Sequence, residues 1–83
     1  MTRTGADTEG LVRYLVESLV DTPEAVEIAV REEGSTLRFE VTLDPSDVGK
    51  VIGRGGRIIK SIRTLARAAG STEGRQVEVD VLG

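Results

Sequence analysis

The sequence predicts a two-layer α+β domain with helices packed on one face of a small sheet, and three observations in its 83 residues lead there. Three runs, 26–30, 37–43 and 77–81, alternate apolar and polar residues with period two. Three other runs, 8–20, 45–52 and 57–69, carry helical stripes or caps. The resulting order is helix, strand, strand, helix, helix, strand, with no internal repeat, linker or low-complexity segment. Strands with one apolar face and helices with one apolar stripe bury both only when the helices stack on one side of the sheet.

Residues 1–7 are polar and small and are expected to fray, leaving a single domain over 8–83 with one core. From Thr8 to Val20, the residues Leu11, Val12, Leu15, Val16, Leu19 and Val20 form one helical stripe. Asp7 or Thr8 is placed to cap that helix, and Pro23 to end it. Next, Val26, Ile28 and Val30 alternate with Glu27 and Ala29, while Leu37, Phe39, Val41 and Leu43 alternate with Arg38, Glu40 and Thr42. The turn at Glu33, Gly34 and Ser35 joins them as a hairpin, one face buried and one wet.

Asp44 suits a helix cap, Pro45 the first helical position, and Asp47 the acid of a capping box. That helix is short and runs into glycines. A second follows from Arg57 to Ala69, where Ile58, Ile59, Ile62, Leu65, Ala66 and Ala69 fall on one side and Arg57, Lys60, Arg63 and Arg67 on the other. Gly70 reads as its stop, 71–74 as a loop, and Val77, Val79 and Val81 as the buried face of the last strand. The outer sheet face would carry Glu27, Arg38, Glu40, Glu78 and Asp80, a solvated, mostly acidic surface.

Hydrophobic residues at 39% and charged residues at 30% are the composition of a soluble globular protein. Without cysteine or histidine, the chain excludes disulfides, thiolate chemistry and the usual zinc ligand sets. No cofactor is called for. Apolar runs are only a few residues long, and the first residues lack the apolar core of a signal peptide, so a cytoplasmic protein without membrane contact is expected.

The net charge of −3 argues against a polyanionic partner until its distribution is read. Residues 48–72 hold Lys50, Arg54, Arg57, Lys60, Arg63 and Arg67 and no acid, a local +6, while the rest of the chain is −9. An attractive patch on a repulsive body favours a partner that touches one edge. Within the patch, Val51 to Arg57 reads V-I-G-R-G-G-R. Glycines at 53, 55 and 56 let a foreign backbone approach and allow positive φ. Gly53 ends one helix and Gly56 opens the next, so amides and the helix dipole there form an anion site beside Arg54 and Arg57.

Other readings of this run fare worse. A helix-turn-helix is not expected between alternating strands. The dinucleotide pattern fails because Ile58 occupies its third glycine, and the phosphate-loop lysine and hydroxyl pair is missing. Ser61 has no histidine to activate it and no carboxylate pair flanks the patch, so catalysis is not expected. Tyr14 and Phe39, the only aromatics, suit the core, which argues against an aromatic base-stacking platform.

The stretch D-P-S-D-V-G-K-V-I-G-R-G-G-R-I-I-K-S-I-R resembles the KH domain through the I-G-x-x-G signature at Ile52 to Gly56. The resemblance spans about residues 8–82 and implies the type II KH fold, αββααβ, with a three-stranded mixed sheet and three helices on one face. Length and the opening L-V-R-Y-L-V-E-S-L-V-D helix resemble the small bacterial single-KH proteins of the KhpA type. In KH domains this loop clamps the backbone of about four nucleotides, with the bases in a groove between helix and strand. Carried over, Gly53, Arg54, Gly55 and Gly56 make the clamp for single-stranded RNA, with Arg57, Lys60 and Lys50 beside it. Val51, Ile52 and Ile58 become groove candidates, though each also suits the core.

One departure is Gly55, where the family often has a polar or basic side chain; this leaves Arg54 as the only side chain of the clamp. The resemblance further implies a homodimer, or a heterodimer with a larger KH and R3H-containing RNA-binding protein, an RNA-chaperone role and a link to cell shape and wall synthesis. A protein-interaction module with degenerate nucleic-acid binding, or a binder of single-stranded DNA, stays open beside it.

Overall fold

Helix α1 (Gly5–Leu19) leads into a hairpin of β1 (Glu27–Glu33) and β2 (Thr36–Thr42), followed by α2 (Val48–Ile52), α3 (Arg57–Ser71) and β3 (Gln76–Leu82). Short 3-10 turns at Pro23–Ala25, Pro45–Asp47 and Arg54–Gly56 link them. These elements come from a computed structural model, which describes residues 5–82. Residues 1–4 and 83 lie outside the described residues, and with them most of the segment expected to fray.

The sheet has the order β1-β2-β3, antiparallel between β1 and β2 and parallel between β2 and β3. It is the mixed sheet expected, with the three helices forming a second layer. Register pairs Leu37 with Val77, Phe39 with Val79 and Val41 with Val81, so the apolar rows line up on one face. Phe39 is fully buried at the centre, among Val12 and Val16 of α1, Val51 of α2, and Ile59, Ile62 and Ala66 of α3. Burying one such ring contributes about 2–3 kcal/mol. The opposite face is wet and laced by ion pairs, Arg31 with Glu40 at 2.8 Å and Arg38 with Glu78 at 2.8 Å.

Several expectations are corrected by packing. Helix α1 already includes Asp7 and Thr8, so neither is its cap; Thr8 is buried and its hydroxyl donates to Glu73 Oε2 at 2.9 Å. Tyr14 is 69% exposed rather than in the core, because Val12 and Val16 point inward and position 14 falls on the opposite side of the helix. Leu65 is 48% exposed for a related reason: at 100° per residue it sits at the margin of the stripe whose centre is Ile62 and Ala66. Val30 is 40% exposed, since β1 is an edge strand and only Ile28 of it packs against the core.

Gly70 does not stop α3. It is buried inside the helix, where an added Cβ would run into Val77 of β3, so its role is to let α3 lie close on the strand. The stop is Gly74, at φ 71°, with Arg75 N–H donating to Gly70 O and Gly74 N–H to Ser71 O, the Schellman arrangement. No helix among the described residues is long and apolar enough to cross a membrane.

Candidate nucleic-acid interface

The glycine turn sits between α2 and α3 and has the geometry its sequence requires. Gly53 (φ 77°), Gly55 (φ 64°) and Gly56 (φ 76°) all adopt positive φ, and no other residue type among the described ones does. Gly53 closes α2, its N–H donating to Gly49 O at 2.9 Å, and Gly56 is the left-handed cap of α3. The glycines differ in surroundings. A Cβ on Gly53 would lie 2.6 Å from Ile58 Cγ1, whereas one on Gly55 would meet nothing within 4 Å. Gly55 and Arg54 are exposed, so the tip of the turn is open to a ligand.

Two amides are spent within the turn: Gly56 N–H donates to Gly53 O at 3.1 Å, and Arg57 N–H to Arg54 O. An anion here would therefore meet the amides of Arg54 and Gly55 and those of the first turn of α3 beyond Arg57. Ile52 and Ile58 are half-buried beside Gly53, with Ile58 the side chain that fills the space against it. Val51 is fully buried and belongs to the core alone.

The cations of the basic segment divide into free and committed. Arg54, Arg57, Lys60 and Arg67 are exposed and make no ion pair among the described residues. Lys50 is committed: its Nζ lies 3.2 Å from Asp47 Oδ1 and 3.3 Å from Asp21 Oδ2, and donates to Ser46 O. The bond to Asp47, then that to Asp21, raises its pKa above the ordinary lysine value. Its placement makes it a strut rather than a free phosphate ligand.

Asp47 does not serve as a capping-box acid. Its carboxylate, buried, accepts from Thr22 N–H at 3.0 Å and Asp21 N–H at 3.3 Å, tying the end of α1 to the start of α2. Burial pushes its pKa up, but the two amides and Lys50 outweigh this and hold it below the usual carboxylate value. Asp44 is the cap, accepting from Ser46 N–H at 2.9 Å.

Arg63 was legible in the sequence only as one more cation on the outer face of its helix. It is half-buried, and its Nε–H donates to Val79 O on β3 at 3.0 Å. Beside it an open cleft of about 310 Å³ is lined by Arg38, Arg63, Arg67, Glu78, Val79 and Asp80. A neighbouring cleft of about 410 Å³ shares Arg67 and Glu78, so the two make one trough between α3 and the free edge of β3. At 1.5 Å per residue, Arg57, Lys60, Arg63 and Arg67 lead from the glycine turn to that trough over about 15 Å.

Comparison with known proteins follows the same outline. A family model described as the KH domain of KhpA/KhpB matches residues 9–81. The RNA-binding protein KhpA of Oceanobacillus iheyensis is 40% identical over 74 residues, 89% of this chain and 99% of its own length. That of Listeria monocytogenes is 38% identical, covering 89% and 97%, and that of Borreliella burgdorferi 40% identical, covering 87% and 88%. Among solved structures, Era bound to nucleotides 1506–1542 of 16S ribosomal RNA matches with a TM-score of 0.62 at 21% identity, over 89% of this chain and 28% of the Era chain. Era of Aquifex aeolicus bound to GDP and aluminium fluoride gives 0.60 at 21%, over 89% and 29%. The chain thus spans under a third of either Era protein, and the likeness is one of fold.

Proposed function

The chain belongs to the KhpA/KhpB KH-domain family, and from that membership we propose that it is a non-catalytic RNA-binding protein whose Gly53–Gly56 turn clamps the backbone of single-stranded RNA. The observation that carries this reading is the turn itself: three positive-φ glycines close α2 and open α3, with Gly55 bare and Arg54 exposed at the tip. The amides of Arg54, Gly55 and the opening of α3 would hold a phosphate, with the helix dipole and Arg54 adding charge. Arg57 and Lys60 extend the contact along α3, while Ile52 and Ile58 line its apolar side. Lys50 contributes only indirectly, through its ties to Asp47 and Asp21.

Backbone clamping with a single clamp side chain gives weak binding whose turn contacts carry no base preference, which suits an RNA chaperone. A site of about four nucleotides gains usable affinity when two copies are joined, so pairing with a second copy or with a larger KH and R3H-containing protein is part of the reading. The exposed Tyr14 and Leu65 support a protein contact on the helical layer.

The test is fluorescence polarisation with short single-stranded RNA, alongside single-stranded DNA, for the natural chain and an R54D/G55D double variant. Binding should be lost in the variant with the circular dichroism spectrum unchanged. Three or four phosphate contacts predict a salt slope of roughly −2 to −3, hence about 16- to 64-fold weaker binding at 200 than at 50 mM salt. Equal binding by the double variant, or a flat salt response, would overturn the clamp. No binding, with sedimentation still showing oligomers, would leave the interaction module.

A further inference from the structure

We propose that Arg63 is the base-reading residue of this domain, selecting a base that presents two neighbouring hydrogen-bond acceptors. This deepens the RNA-binding reading and rests on it. Strand β3 has β2 on one side only, so its other edge leaves backbone carbonyls without strand partners. Arg63 reaches across from α3 and donates Nε–H to one of them, Val79 O, at 3.0 Å. That bond fixes the guanidinium at the wall of the trough.

Its two terminal nitrogens make no bond among the described residues, so their donors are available to a ligand. They form a planar fork, held in place before any ligand arrives, which lowers the ordering cost of binding. Position 63 lies two turns along α3 from the glycine turn, about 9 Å beyond Arg57, which is where a strand clamped at the turn and following the basic stripe would lay a nearby base. Phosphate contacts at the turn position the strand, and a base contact at Arg63 specifies it.

A fork of donors demands a pair of adjacent acceptors. Guanine offers O6 and N7, and cytosine offers O2 and N3. Adenine places an amino donor next to its ring acceptors, and uracil separates its two carbonyls with an N–H donor, so neither satisfies the fork. The other charged groups of the trough do not replace it: Glu78 is engaged by Arg38, and Arg67 brings charge without an anchoring bond among the described residues.

The experiment uses the full chain and labelled ten-nucleotide oligouridines, unsubstituted or carrying one central guanine, cytosine or adenine. Guanine- or cytosine-containing RNA should bind about ten-fold more tightly than the adenine-containing or unsubstituted RNA, the lower part of the range for one bidentate pair. Arg63→Lys keeps the charge and loses the fork, so the preference should collapse while affinity for plain oligouridine stays within about two-fold. The melting temperature is measured beside it, and a purely structural Arg63 would move that without altering base preference. Equal affinity for all four RNAs, a preference for adenine or uracil, or a preference that survives Arg63→Lys would overturn the proposal. Failure to bind any of the four would instead overturn the RNA-binding reading beneath it.

Discussion

Replacing Gly53 and Gly55 by alanine, one at a time, separates two roles within a single turn. Gly53 holds φ 77° and ψ 172°, a region open almost only to glycine, where another residue costs about 1–3 kcal/mol. Its added Cβ would also lie 2.6 Å from Ile58 Cγ1 and 2.9 Å from Ile58 Cβ, and displacing that packed side chain costs a further ~1–3 kcal/mol. Gly55, at φ 64° and ψ 18°, has open space around it, so alanine there carries only the left-handed cost of roughly 1–2 kcal/mol. Both substitutions recover about 0.4–1 kcal/mol by stiffening the unfolded chain. The net is on the order of 3 kcal/mol for G53A and 1 kcal/mol for G55A, a fall in Tm of roughly 12–24 °C against 4–8 °C. Thermal melts followed by circular dichroism compare the two variants with the natural chain. A G53A that melts within about 4 °C of G55A would refute the assignment of Gly53 to packing and Gly55 to access.

Three further outcomes follow from the charged network and the close contact of α3 with β3. Asp47→Asn should lower Tm by several degrees at neutral pH, because a carboxylate that accepts two amides and an ammonium becomes a neutral amide. The folded pKa of Asp47 lies below its unfolded value of about 3.9, so its contribution is present above about pH 4 and lost as pH falls through the folded pKa. Tm measured between pH 7 and pH 2 should therefore fall less steeply for the variant on the acid side, the remaining slope including Asp44, whose pKa is lowered by its bonds from Ser46. Lys50→Met should leave RNA affinity within about two-fold while lowering Tm, whereas Arg57→Ala should lower affinity and reduce the salt slope by about 0.7, both read by titration at several salt concentrations. Gly70→Ala should lower Tm by more than 4 °C, since its methyl group meets Val77 across the helix–strand contact, and an unchanged melt would contradict that packing.

Much of the fold was legible because it depends on short-range patterns. Leu37, Phe39 and Val41 announce a half-buried strand by alternation, and all three are buried in the row predicted for them. The positive-φ turn was legible for the same reason, since glycines at 53, 55 and 56 have few uses other than positive φ or close approach. Helix stripes were read less well at their margins. Leu65 is apolar on a helix, yet stripe membership there depends on how wide the covered zone is, and that is set by neighbouring elements. Gly70 and Gly74 show the same limit: both suit a helix end, and the approach of Val77 decides which one serves as a contact.

The sequence by itself therefore determined the order of elements, the buried rows and the place of the glycine turn, because each is written within a few consecutive residues. Tertiary structure alone decided which cations are free. Lys50 meets Asp21 from the end of α1, and Arg63 meets the Val79 carbonyl on β3, partners far away in sequence that no local pattern pairs with them. Charge and periodicity specify what a residue offers, while its availability to a ligand depends on what the rest of the fold places against it.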